Sequence, residues 1–147
     1  MQIGRGSGGW LSYPTLMNLT FRYAIAYVPD ARATVEWFAR TFGFETRMVH
    51  ESGAYAELET GSTILAFASE SLGEGNFPGE FQRHRPDEAP LGTELVFTTE
   101  DVQGAVDAVV RGGGTEIAPP TTKPWNQVVA YVRDPNGLLI ELATPLD

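Results

Sequence analysis

The sequence predicts an α+β fold built from two tandem βαβββ units, and three observations carry that prediction. Tyr23-Ala-Ile-Ala-Tyr-Val-Pro-Asp30 superimposes on Glu94-Leu-Val-Phe-Thr-Thr-Glu-Asp101 at an offset of 71. The same offset pairs Val35 with Val106 and Gly43 with Gly114. In both copies an apolar, β-prone run leads through an aspartate into a segment of helical period, and three more β-like runs follow.

Residues 1–18 are rich in Gly and Ser, with Trp10, Leu11 and Tyr13 as their only anchors, and read as a flexible arm. Met17 directly precedes the first strand-like run and offers an alternative start. Phe21 to Val28 reads as the first strand. Asp30 then stands where an N-cap carboxylate accepts the free amides of a helix, in which Val35, Phe38, Ala39 and Phe42 fall at i, i+3, i+4 and i+7. Gly43 ends that helix. Glu45 to His50, Ala54 to Glu59 and Ser62 to Ser69 supply three further strands, the last two joined by Thr60-Gly61-Ser62.

The second unit repeats this order. Its first strand is Thr93 to Thr98, Asp101 is the cap, Val102, Val106, Val109 and Val110 form the apolar stripe, and Gly112-Gly113-Gly114 stops the helix. Strands follow at Thr115 to Ala118, Val128 to Arg133 and Leu138 to Ala143, the last pair joined by the turn Asp134-Pro-Asn-Gly137 at an offset of about 75. The halves therefore cover 20–70 and 93–145 of one domain spanning 19–147. The connecting segment 71–92 carries Gly, Pro and charge with little periodicity, and a loop of that length is usually a lid or an interface element.

Composition narrows the function. The chain has 147 residues, 42% of them apolar and 20% charged, which suits one globular core and excludes intrinsic disorder. A net charge of −9 repels phosphate backbones and anionic membranes, so nucleic acid and membrane partners are not expected. There is no cysteine, hence no disulfide scaffold, thiolate zinc site or cysteine nucleophile, and His50 and His84 are the only histidines. No apolar run reaches the ~18 residues of a membrane span. A cytoplasmic protein is expected.

The tandem repeat, with Tyr27-Val28-Pro29-Asp30, Phe42-Gly43-Phe44 and the terminal Val129-Ala-Tyr-Val-Arg-Asp-Pro-Asn-Gly-Leu-Leu-Ile-Glu-Leu142, resembles the vicinal oxygen chelate superfamily of glyoxalases, extradiol dioxygenases and bleomycin-resistance proteins. That resemblance implies a cupped, mostly antiparallel sheet with a central pocket, and a homodimer. Metal-dependent members place ligands on the first and fourth strands of each half, which carries over to Tyr23, Ala66, Glu94 and Glu141. Histidines are expected where Tyr23 and Glu94 stand, and a carboxylate where Ala66 stands. A catalytic divalent site needs about three protein ligands. No cofactor is therefore expected, and a divalent metal, if held, would rest on Glu94 and Glu141.

Two carboxylates in one hollow cannot both stay ionised uncompensated, so they share a proton or bind something positive. Glu94 and Glu141 are accordingly the candidate catalytic residues, and Tyr23, Tyr27, Ala66, Glu94, Trp125, Tyr131 and Glu141 the candidate ligand-binding set. The ligand expected is a small organic molecule, cationic or aromatic, as for the antibiotic-binding relatives. Plainer readings stand beside these. The glutamates could face solvent or pair with Arg22 or Arg133, and Tyr27 and Tyr131 could be ordinary sheet residues. Trp125 is either a core plug or a pocket wall, His50 a structural histidine, and His84 part of a solvated face. Two other functions stay open: a metal-dependent lyase, isomerase or dioxygenase with a carboxylate-rich site, and an interaction module with a filled interior.

Overall fold

The structure is a computed structural model that describes residues 17–146; the arm expected at 1–18 lies outside the described residues except for Met17 and Asn18, which are exposed and irregular. The first half runs β1 (Tyr23–Val28), α1 (Ala31–Phe42), β2 (Thr46–Val49), β3 (Tyr55–Leu58) and β4 (Ile64–Ser69). A short α2 (Glu70–Glu74) leads into the connecting segment. The second half runs β5 (Glu94–Thr98), α3 (Val102–Arg111), β6 (Thr115–Thr122), β7 (Val128–Arg133) and β8 (Leu139–Ala143).

Two four-stranded sheets result, ordered β1-β4-β3-β2 and β5-β8-β7-β6, so an α+β architecture of two like sheets is observed. In each, the first strand pairs in parallel with the fourth and the other pairings are antiparallel. The register preserves the repeat: Tyr23 lies opposite Ile64 as Glu94 lies opposite Leu139, and Ile25 opposite Ala66 as Val96 opposite Glu141.

The caps sit where the sequence places them. Asp30 accepts from the Ala33 amide at 3.0 Å and Asp101 from the Gly104 amide at 2.9 Å, satisfying amides that have no partner inside the helix. Gly43 closes α1 at φ 80°, a left-handed conformation that costs glycine little. Both helices put their apolar stripe on one face of their own sheet and lie against each other. Trp37 on α1 donates its indole N–H to the carbonyl of Gly112 at the end of α3, at 2.8 Å.

Phe38 is the hub of the core. It is fully buried, with ring centroids 5.1 Å from Phe67 of its own half and 6.1 Å from Phe97 of the other. Phe97 in turn lies 5.8 Å from Phe42 and 5.1 Å from Phe44. One aromatic cluster thus spans both repeats.

Most strand ends shift by a residue or two from the sequence reading, β4 beginning at Ile64 and not Ser62, and three differences stand out. Strand β1 begins at Tyr23, not Phe21, and Phe21 is exposed. Strand β6 continues through Pro119 and Pro120 to Thr122, which an edge strand permits because one side needs no amide donors; its pairing with β7 slips around those prolines. Helix α2 opens the segment expected to lack structure, capped by Ser69, whose hydroxyl accepts from the Leu72 amide at 3.2 Å. No helix among the described residues is long and apolar enough to cross a membrane.

Replacing Phe38 by Ala removes the ring that joins the halves and should cost about 3–5 kcal/mol, the usual range for a buried aromatic. Urea denaturation measures it. A loss under ~1 kcal/mol would mean that the halves do not depend on the shared cluster.

Candidate functional site

The helices cover one face of each sheet, and the opposite faces carry the polar side chains. On the second sheet, Val96 lies opposite Glu141, so Glu94, two residues before Val96, shares the face of Glu141. Tyr131 on β7 lies opposite Glu141 on that face and donates its hydroxyl to a Glu141 carboxylate oxygen at 2.8 Å. Glu94, Glu141 and Tyr131 therefore form one cluster across three adjacent strands.

Its electrostatics are strained. The Glu94 carboxyl is pushed above the ordinary 4.5 by partial withdrawal from water, by the negative charge of Glu141 and by a hydrogen bond that Glu141 makes to its protonated form. The residue is nonetheless exposed, so the burial contribution is partial. Tyr131 is pushed up to about 12, chiefly by its bond to Glu141, and keeps its proton through the neutral range. No ion pair among the described residues involves either glutamate. Arg22 donates to the carbonyl of Ser62, and Arg133 to the carbonyls of Arg85, Glu88 and Gly137, so neither neutralises the pair.

The first sheet carries a different cluster. Glu57 on β3 lies opposite Ala66, accepts the Tyr55 hydroxyl at 2.8 Å and pairs with the Arg47 guanidinium at 3.1 Å. Burial and the contact with Glu57 raise Tyr55, with a smaller contribution from Tyr23, which shares this face of the first sheet with Ala66 and Glu57. Sequence reasoning passed over Glu57. Its signal was a carboxylate inside the otherwise apolar run Tyr55-Ala-Glu-Leu58.

The remaining candidates are scattered. Ala66 is fully buried and offers only a methyl. Tyr27 packs its ring 4.9 Å from Phe81, and its hydroxyl accepts from Asn76 at 3.0 Å. Trp125 stands 59% exposed at the β6–β7 turn with its indole N–H on Gln127, so it is no core plug. His50 bonds Ser52 at 2.7 Å in a local turn, and the reading of His84 as part of a solvated face fails because its Nδ1 is buried. A cleft of about 600 Å³ lies between the halves, bordered by Glu94 and Phe97 on one side and by Phe21, Phe44 and Leu65 on the other.

A family model described as the Glyoxalase/Bleomycin resistance protein/Dioxygenase superfamily matches residues 20–142. The chain belongs to this superfamily. It is 30% identical over 117 residues to the uncharacterized protein YraH of Bacillus subtilis, covering 78% of this chain and 90% of that one. It is 26% identical over 137 residues to a lactoylglutathione lyase of Arabidopsis thaliana, covering 90% of this chain and 46% of that enzyme, so it spans about half of that relative's length. Two solved structures share the fold. A glyoxalase-related enzyme from Fulvimarina pelagi superimposes with a TM-score of 0.70 at 18% identity, over 88% of this chain and 89% of that one. A glyoxalase/bleomycin resistance protein/dioxygenase family enzyme from Burkholderia phytofirmans gives 0.66 at 19% identity, over 87% and 100%.

The superfamily includes metal-dependent members, and the residues here do not fit a divalent ion. Of the four strand positions, Ala66 has no side-chain donor atom, Tyr23 offers only a phenol, and one Glu141 oxygen accepts from Tyr131. Among the described residues no three His, Cys, Asp or Glu side chains are grouped to hold a metal.

Carbon-13 NMR of the tyrosine ring should follow Tyr131 ionising near 12, and Glu141→Gln should return it toward the ordinary ~10. Glu94 holds its proton more tightly folded than unfolded. Its contribution thus favours the fold below about 4.5 and is lost as pH rises through its raised folded value. Glu94→Gln should therefore melt higher than the parent at pH 7 and match it near pH 4; equal melting at both values would remove the repulsion from the account.

Proposed function

We propose that the protein binds a small organic molecule, cationic and with aromatic character, on the open face of its second half, through Glu94, Glu141 and Tyr131 and without a resident metal. The observation that carries this reading is the carboxylate pair left without a cationic partner among the described residues. A positive ligand relieves the repulsion that raises Glu94. Tyr131, holding its proton, donates to Glu141 and can turn to an acceptor on the ligand. The same raised Glu94 could move a proton next to a carbonyl, which is how a metal-free enzyme would use this face.

Tyr23, Tyr27 and Ala66 belong to the other sheet, so a pocket that includes them needs the two kinds of face to meet. A homodimer supplies that. Tyr23 and Ile25 on the helix-free face of the first sheet and Val96 on that of the second are 45%, 48% and 49% exposed. Exposed apolar side chains on the helix-free faces are a surface that a second copy would cover.

Isothermal calorimetry against a panel of cationic aromatic antibiotics tests the ligand. A saturable binder whose affinity falls at least about tenfold in Glu141→Gln supports the reading, since an ionic contact to a partly buried carboxylate is worth at least ~1.4 kcal/mol. If no member binds, and elemental analysis finds stoichiometric divalent metal that Glu141→Gln loses, the protein is instead a metal-dependent lyase, isomerase or dioxygenase, the activity class to which the Arabidopsis relative's name points. Light scattering tests the dimer. A mass of about twice 16.0 kDa is expected, falling to one chain in Ile25→Glu, and a single-chain mass at all concentrations would overturn it.

A further inference from the structure

The connecting segment is seated on the seam between the halves by three contacts. Arg133 reaches from β7 and donates to the carbonyls of Arg85 and Glu88 at 2.9 and 2.7 Å. Arg85 donates to both carboxylate oxygens of Glu70 on α2, at 2.7 and 3.0 Å. The third contact is the His84 ring, which borders a cleft of about 210 Å³ whose other walls include Ala24, Ala26, Leu65 and Leu95. The fit is close, for a Cβ on Gly137 would come within 2.7 Å of the Arg85 carbonyl oxygen.

One atom of this seat is unsatisfied. His84 Nδ1 is buried and has no hydrogen-bond partner. In the neutral ring that atom can remain a bare lone pair with the proton on Nε2, at the cost of one acceptor withdrawn from water. A second proton turns it into a buried N–H without an acceptor and places a charge in an apolar seam, which costs far more. Nothing around the ring offsets that charge. The charged groups that face it are Glu70 from α2, Arg133 from β7 and Arg85 from the segment itself. Glu70 already has both oxygens on Arg85, and two guanidinium groups repel a third cation. The cleft walls supplied by β1, β4, β5 and β8 are uncharged. Burial lowers the His84 pKa below the ordinary 6.5, with Glu70 opposing and Arg133 and Arg85 reinforcing.

We propose that the connecting segment is an acid-released strap: protonation of His84 expels the ring from its seat and frees residues 81–91 from the seam. The ties that remain suit release, since Arg133 holds the segment through backbone carbonyls and such bonds exchange for water at small net cost. At neutral pH the ring is uncharged and the strap lies closed beside the cleft. In acid the open form takes up the proton that the closed form refuses, so closure is complete above the ordinary 6.5 and is lost as pH falls below it. The strap involves none of Glu94, Glu141 and Tyr131, and its failure would leave the ligand reading untouched.

Trypsin cleavage of the Arg83–His84 bond reads the open population, because a seated segment does not fit a protease cleft. The cut is mapped by mass, and its rate at each pH is divided by that of a free peptide of residues 76–92, which cancels the pH dependence of the protease and of the bond itself. From pH 7.5 to 5.5 the ratio should rise about threefold to tenfold, tenfold being the limit for one imidazole of ordinary ~6.5 in the open form. His84→Phe, which puts an uncharged ring of similar shape in the seat, should show no rise. Proton NMR of the parent gives a second reading that needs no variant: the His84 ring should titrate below the ordinary 6.5. The proposal is overturned by a rise under about threefold in the parent, by an equal rise in His84→Phe, or by a His84 ring that titrates at or above ~6.5.

Discussion

The aromatic cluster centred on Phe38 decides what the rest of the molecule can do. Because Phe97 of the second half inserts among Phe38, Phe42 and Phe44 of the first, each helix buries its apolar face on its own sheet and its flank on the other helix. Both helices are committed to one side. The opposite faces of the sheets are left without a helical cover, and only there can charged side chains sit without breaking the core. The location of Glu94, Glu141 and Tyr131 is thus a consequence of how the two repeats are joined.

The repeats share a backbone but differ in their electrostatics. In the first half the carboxylate is on β3, as Glu57, with Arg47 against one oxygen and Tyr55 against the other. In the second it is on β8, as Glu141, with a tyrosine hydroxyl but no guanidinium, and Glu94 adds a second negative group. A satisfied network rigidifies, whereas an uncompensated one stores free energy that a ligand can release. This asymmetry is what supports the proposed site in the second half, although the topology alone would favour neither.

Much of this fold was legible in the chain because each repeat states its own punctuation. Asp30 and Asp101 cap helices whose stripes have the right period. The run Asp134-Pro-Asn-Gly137 closes β7 onto β8: Asp134 accepts from the Leu138 amide at 2.8 Å, and Asn136 ties the turn to Thr34 on α1 at 2.9 Å. A Cβ on Gly137 would come within 2.7 Å of the Arg85 carbonyl, so the glycine there serves the clamp as well as the turn. Illegible were the features set by distant partners. Pro119 and Pro120 read as breakers, and only the knowledge that β6 is an edge makes them strand residues. Glu57 and His84 gain their meaning from Arg47 and from the seam, and neither spacing nor periodicity records such contacts. The resemblance brought Glu94 and Glu141 together; that Tyr131 joins them is set by the register of β7 on β8, which neither composition nor periodicity records.

Strand β7 carries two anchors of different kinds. Tyr131 and Arg133 are two residues apart and so project from the same face of the strand, one donating to Glu141 and the other to the Arg85 and Glu88 carbonyls of the connecting segment. Arg133 is satisfied by backbone carbonyls and holds the segment in place, whereas the Tyr131 hydroxyl meets a carboxylate that no cation neutralises among the described residues. One strand therefore fixes the fold at one position and leaves a polar group free to respond at the other.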